Sequence, residues 1–451
     1  MRKREFSRAD AMLMTLAVLL TVGAGMGEWK VVNAALGGLP KVVTLGVPGV
    51  ALLCFLVRAD FEHMRRCMAF LPVYLLYIVL LMVWTLAIWT RELTGLPSIV
   101  RGMSKLLYQG FGIVYAIGFV YLCRERAIDC FFAGMVITNA LIALLEIPGY
   151  GLAASLRSVI TCILTFGDAE GYVRALEIHD VTFLFGQFFV YYAALAPRAN
   201  AEERKASFVK AGVAMLFMLL GLKRTAIPGA MLWAVYAAFI LRRRHPLRWV
   251  MGTSVAMIAF FWVYLIAIRT GLFSRMMNML GIDSMGRDYI WGMAYPYYSL
   301  SPAFTGQGFE AVDAIVSQWH REGLINHPYP FHNDILKVYV ELGFGGFCLW
   351  VAVQYLAYPL LFSRMYGERA ALVYFCLLGY MSVTYLTDNT AFYYWSCIGL
   401  RLIPMAYCLM QRPESREKNW WPPSPGDFSR EVWRQEMEDR SRAQTQNPPR
   451  A

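Results

Sequence analysis

Three of the six histidines in this 451-residue chain, His320, His327 and His332, fall in one segment between Arg269 and Phe344. A neutral imidazole can take a proton from a hydroxyl near pH 7, so one held beside a substrate can act as a general base. His332 is followed by Asn333 and Asp334, and upstream stand Gly286-Arg287-Asp288-Tyr289-Ile290-Trp291 and Gly306-Gln307-Gly308-Phe309. A second polar group is Gly221-Leu222-Lys223-Arg224-Thr225, two cations between two apolar runs. Such cations are expensive unless they meet an anion, and a guanidinium can hold phosphate oxygens through two N–H groups at once. A helix N-terminus directly after them would favour phosphate further. A third group, Arg174-Ala175-Leu176-Glu177-Ile178-His179-Asp180, offers Arg174, Glu177 and His179 to the same cavity.

Each feature also has a plainer reading. A lone loop histidine can be solvated, Arg224 can snorkel toward lipid headgroups, and Arg287 beside Asp288 can form a surface ion pair of about 0–1 kcal/mol. Glu177 and His179 can be structural. Tyr295, Tyr297 and Tyr298 can form an interfacial aromatic belt or stack on sugar faces.

The elements that must position these residues follow from composition. The chain is 58% hydrophobic and only 16% charged, with a mean hydropathy of +0.45. An ordinary soluble chain has about 45–50% apolar and about 25% charged residues, so a water-soluble enzyme and a disordered chain are both excluded. Twelve apolar runs approach the ~20 residues needed to cross hydrocarbon as a helix. They centre on 11–25, 42–56, 68–89, 106–122, 127–147, 181–195, 208–222, 226–241, 250–268, 344–362, 371–386 and 391–410. The first follows a basic N-terminus yet precedes no small-residue cleavage site, so it reads as a retained helix. The expected class is all-α: a polytopic membrane protein of about 12 transmembrane helices, with a large outer loop, about 269–343, between the ninth and tenth.

Net charge is +11, and in a soluble protein that would suggest nucleic acid. Here the Lys and Arg residues concentrate in alternate short segments, most clearly Arg242, Arg243, Arg244 and Arg248, which marks those segments as cytoplasmic. Both termini are then cytoplasmic, and the charge is a topology signal with no nucleic-acid partner behind it. Residues 1–410 form the membrane domain. Residues 411–451, with mixed charges, prolines and Trp420-Trp421, read as a cytoplasmic, disordered or membrane-surface tail. The nine cysteines show no CxxC or Cys/His cluster and no outer pair, so neither a metal site nor a disulfide framework is expected.

With this topology the polar residues gather at the outer interface. From Asp334 to Glu341, Ile335, Val338 and Leu342 recur at helical spacing opposite Asp334, Lys337 and Glu341. This predicts a surface helix at the interface, beginning at His332, over the mouth of the bundle.

Taken in order, Arg224 after an apolar helix, Gly286-Arg287-xx-Ile290-Trp291, Gly306-x-Gly308-Phe309 and His332-Asn333 followed by Glu341-x-Gly343-xx-Gly346 resemble the bacterial O-antigen ligase and polymerase superfamily. The resemblance covers roughly 210–350 at motif level. It implies a GT-C-type glycosyltransferase using a polyprenyl-diphosphate-linked glycan donor, with no cofactor and no metal. It also implies that His332 acts on the acceptor hydroxyl and that Arg224 and Arg287, with Lys223 beside them, hold the donor diphosphate. Asp388, in Thr387-Asp388-Asn389, falls where some members have an acidic residue. Lys223-Arg224-Thr225 stands where Ser-Arg is frequent. Asn333, Asp388, Arg174, Glu177 and His179 are the remaining candidates for the acceptor or cavity wall.

The implied activity is transfer to a sugar hydroxyl on the outer face of the bacterial cytoplasmic membrane, polymerising lipid-linked repeat units. Ligation onto lipid A–core and protein O-glycosylation use the same donor chemistry, and the absence of a large extra outer domain favours polymerisation. A polysaccharide or lipid transporter is the reading from another class. It should show inverted repeats with broken helices at the midplane, and the sequence has no internal repeat.

Overall fold

A computed structural model of the chain describes residues 7–410 apart from 38–41, 92–94, 166–170, 178, 198–199, 224, 282–285 and 329, together with the backbone but not the side chains of 96, 97 and 179. By its internal contacts the chain divides into Met1–Met410 and Gln411–Ala451, and the tail lies outside the described residues. Arg224 lies outside them too.

Among the described residues the structure is helical, with no strand. The helices are α1 Arg8–Gly25, α2 Lys30–Leu36, α3 Gly46–Arg58, α4 Phe61–Met68, α5 Leu71–Arg91, α6 Leu96–Cys123, α7 Ala127–Tyr150, α8 Leu152–Leu164, α9 Tyr172–Ala175 and α10 His179–Val190. The order continues with α11 Ala201–Leu220, α12 Ala226–Ile240, α13 Pro246–Arg269, α14 Leu272–Met279, α15 Arg287–Met293, α16 Ala311–Arg321, α17 Asp334–Ala352, α18 Tyr358–Tyr366, α19 Glu368–Tyr385 and α20 Tyr394–Met410. Each of the twelve apolar runs is helical over most of its length. Among the described residues five helical stretches are long and apolar enough to cross a membrane, Arg8–Glu28, Phe61–Arg91, Ser98–Tyr150, Pro246–Arg269 and Asp334–Tyr366, and several shorter apolar helices accompany them. Helices satisfy their own backbone, which is what a bilayer demands.

The centre of the bundle is built from α10, α19 and α20, which pack on one another, with α12 and α13 against α19 and α6 against α20. Nearly every residue of α19 and α20 is buried, as expected of helices apolar on all sides. Outer helices expose leucine and valine, for instance Leu52, Leu53, Leu56 and Val57 on α3. The first turn of α20 leaves backbone N–H groups without helical partners. Asp180 of α10 accepts those of Trp395 at 2.8 Å and Ser396 at 2.9 Å, and also the Ser396 hydroxyl at 2.9 Å. A carboxylate at a helix N-terminus is favourable, so this contact ties α10 to α20 at the end of the bundle where the candidate site lies.

The segment from α13 to α17 folds back onto that end. Its Phe304–Gly308 stretch docks into a kink of α17 at Gly343, whose φ is +68°. The Phe344 N–H donates to Phe304 O at 2.8 Å, Gln307 N–H to Val340 O at 3.0 Å and Gly308 N–H to Glu341 O at 2.8 Å. A Cβ on Gly343 would strike the backbone of Phe304–Gly306, and one on Gly306, at φ +95°, would strike the backbone of Glu341–Gly343. The two glycine motifs are thus the two halves of one close backbone contact.

The surface helix predicted after His332 is not a surface helix. Asp334, Lys337 and Glu341, expected to face water, are buried. Lys337 Nζ lies 2.8 Å from Asp313 Oδ2, 3.5 Å from Glu310 Oε1 and 3.9 Å from Glu341 Oε1, and Lys105 Nζ lies 2.5 Å from Glu310 Oε1. The polar stripe of α17 meets charges from α6 and α16 where the sequence pattern suggested solvent.

Candidate active site

Arg287 is the first residue of α15, entered through Gly286 in a left-handed conformation (φ +76°). One turn on, the Trp291 indole N–H donates to the carbonyl of Phe331 at 2.9 Å. That bond fixes the arginine-bearing helix to the residue before His332, and accounts for tryptophan at the fourth position after the arginine. Arg287 and His332 consequently line one cleft of about 440 Å³, with Tyr289, Ile290, Leu324 and Ile325 among its other walls. Tyr289 and Leu324 are largely exposed, so the cleft joins a cation and an imidazole to an apolar rim. Arg287 has no ion-pair partner among the described residues.

His332 has a φ of +51°, the left-handed region, which typically costs a non-glycine residue about 1–3 kcal/mol and marks functional sites. The next residue anchors it in that conformation. Asn333 caps α17, its Oδ1 accepting from Leu336 N at 3.0 Å. Its Nδ2 donates to the Tyr264 hydroxyl at 3.0 Å, and that hydroxyl donates to Leu386 O at 3.1 Å. This chain of bonds sets His332 beside the turn after α19. Asn333, a candidate cavity residue from its sequence position, is fully buried and serves as a cap and tie.

Nδ1 of His332 lies 3.4 Å from Oδ1 of Asp388, just beyond a formed hydrogen bond, and is a buried atom with no other partner among the described residues. Asp388 is 5% exposed. Its Oδ1 also accepts from the Asn389 N–H at 2.9 Å and the Tyr393 hydroxyl at 3.3 Å, while Oδ2 lies 3.6 Å from Lys223 Nζ. Burial alone would raise the Asp388 pKa. The His332 ring, the Lys223 charge and the Asn389 N–H outweigh it and hold the carboxyl well below its usual range.

Lys223 continues the polar chain to Glu177 at 3.0 Å. Lys223 is a candidate for the donor phosphate from its sequence, and its ammonium stands between two carboxylates. Four connections distant in sequence therefore meet at one end of the bundle: Glu177 after α9, Lys223 between α11 and α12, His332 before α17 and Asp388 after α19. Arg174 on α9 is exposed, with no ion pair among the described residues. The side chain of His179 is outside the described residues, as is Arg224.

Other loop groups are structural. Tyr295 donates to Ile268 O at 2.6 Å, and Arg269 lies over the Tyr295 and Tyr298 rings at 4.9 and 5.1 Å. Tyr297 packs edge-on against Trp319. His320 Nδ1 lies 3.1 Å from Ile325 O. The sequence did not point to Tyr264, Lys105, Glu310 or Asp313. No local pattern in the sequence marks the last three, which stand as isolated charges.

Fold and site together define a polytopic helical membrane protein whose polar residues converge at one end of the bundle. Residues 211–351, which include Lys223, Arg287 and His332, match the family model described as O-Antigen ligase. The match supports the O-antigen ligase and polymerase superfamily and its general type of activity, as the motifs suggested. Among curated proteins no relative matches the sequence.

Proposed function

We propose that this protein transfers a glycan from a polyprenyl diphosphate to a sugar hydroxyl at the outer face of the bacterial cytoplasmic membrane, joining lipid-linked repeat units into a surface polysaccharide. The observation that carries this reading is the shared cleft of Arg287 and His332, with Asp388 behind the imidazole. With Nδ1 toward Asp388, Nε2 is left to accept the proton of the acceptor hydroxyl. The freed oxygen attacks the anomeric carbon, and the bond from that carbon to the diphosphate oxygen breaks with its electron pair leaving on the diphosphate. Arg287, with Arg224, meets that charge through planar N–H pairs that a lysine cannot copy. A well-placed donor at a developing oxyanion contributes about 3–4 kcal/mol, and a general base ~10²–10⁴-fold. Lys223, between Glu177 and Asp388, acts as a positioning residue for the carboxylate. The apolar rim at Tyr289 and Leu324 suits the polyprenyl chain.

Ligation to lipid A–core would use the same donor cleft. Purified protein supplied with lipid-linked repeat units should yield a ladder of products on a gel. A single addition to lipid A–core with no ladder would make the protein a ligase, and no transfer to either acceptor would overturn the proposal.

A further inference from the structure

A second cleft, of about 340 Å³, lies beside the first, lined by Lys105, Asp313, Asp334, Lys337, Asn389 and Tyr393. Pro330, two residues before His332, borders both clefts. Asn389 adjoins Asp388 in the chain, so the second cleft reaches the residue next to the His332–Asp388 pair.

The two clefts differ in what they can attract. In the first, Arg287 is a cation without a carboxylate partner among the described residues. In the second every cation is matched: Lys105 with Glu310 at 2.5 Å and Asp313 at 3.8 Å, Lys337 with Asp313 at 2.8 Å. Such a wall exerts little net pull on phosphate. It instead offers N–H donors together with carboxylate and amide acceptors, which sugar hydroxyls can satisfy, each being donor and acceptor at once. Phe392 and Tyr393 add aromatic surface for the C–H face of a sugar ring. Asn389 contributes an unmatched acceptor, since its Oδ1 is buried without a hydrogen-bond partner among the described residues. Buried polar groups are rarely left so. The volume falls within the ~300–1,000 Å³ of ordinary ligand sites, and the ion pairs hold the lining in place before anything binds.

We propose that this second cleft holds the acceptor: an uncharged, hydroxyl-rich glycan end, presented to His332 from across Pro330. The proposal rests on the glycosyl-transfer reading and assigns its second substrate. Two variants of the full-length protein test it. Asn389→Ala removes an oxygen that has no partner among the described residues. Ser317→Trp fills the cleft from α16, where the serine is half-buried and donates only to Asp313 O of its own helix at 2.7 Å. Both should bind undecaprenyl diphosphate, the probe for the first cleft, as wild type does, and both should melt near wild type. In the transfer assay the acceptor KM should rise about tenfold for Asn389→Ala, the effect of one lost hydrogen bond, and further for Ser317→Trp, with donor KM unchanged. An unchanged acceptor KM in both variants, or loss of undecaprenyl diphosphate binding in both, overturns the assignment. Failure of the transfer reading itself shows differently, as wild-type protein that neither binds undecaprenyl diphosphate nor makes product.

Discussion

The His332 imidazole and the Asp388 carboxylate meet at 3.4 Å across 56 residues of chain and the whole of α17 to α19. The pair links the residue whose backbone is strained to the residue that gathers four polar partners. Replacing His332 by Ala should abolish transfer while leaving the protein folded in detergent, because the ring is a quarter exposed and packs in no core. Asp388→Asn keeps the volume and removes the charge that orients the ring, and should lower the rate ~10²–10⁴-fold. Wild-type product formation by the alanine variant would remove the base assignment.

The same carboxylate predicts an acid dependence of stability. Its pKa in the folded protein is depressed below the ordinary 3.8. The stability it contributes is therefore present above that value and is lost as the pH falls through the folded pKa. In detergent, the margin by which wild type melts above Asp388→Asn should narrow as the pH falls below about 4. A gap that goes on widening below that pH would show that the carboxylate is not held by His332 and Lys223.

Arg287 stands apart from the ion-paired lysines, and its proposed work depends on geometry as well as charge. Arg287→Lys should lose most activity and weaken undecaprenyl diphosphate binding about tenfold or more, since a lysine offers a point charge in place of a fork. Arg224→Lys should behave likewise under the same proposal. Equilibrium binding to the purified variants is the measurement, and full retention in both would leave only a point charge, or nothing, at these positions.

What the sequence revealed and what it concealed have physical causes. Lipid demands self-satisfied backbone, so apolar runs translate directly into helices. Arg287 and His332 were visible because their motifs are local. The bonds that bring them together are not local: Trp291 reaches Phe331 across 40 residues and Asn333 reaches Tyr264 across 69. The misreading of Asp334–Glu341 has the same root. Helical periodicity tells which side is polar, but not whether that side meets water or a lysine 205 residues from its carboxylate partner, as Lys105 is from Glu310.

Orientation in the membrane underlies the proposed chemistry, because a site on the wrong face would have no access to translocated lipid-linked sugars. Glu177, Lys223, His332 and Asp388 come from four connections that charge asymmetry assigns to the outer face, and their mutual contact is consistent with that assignment. The turn between α12 and α13 belongs to the opposite set, with Arg243 against the Phe239 ring at 4.0 Å and three further basic residues nearby. In a background with the native cysteines replaced, a cysteine at Ser317 should react with a membrane-impermeant thiol reagent in intact spheroplasts. One at Arg243 should react only after permeabilisation. Labelling at Arg243 and not at Ser317 would invert the topology and, with it, rule out transfer from an outward-facing lipid diphosphate.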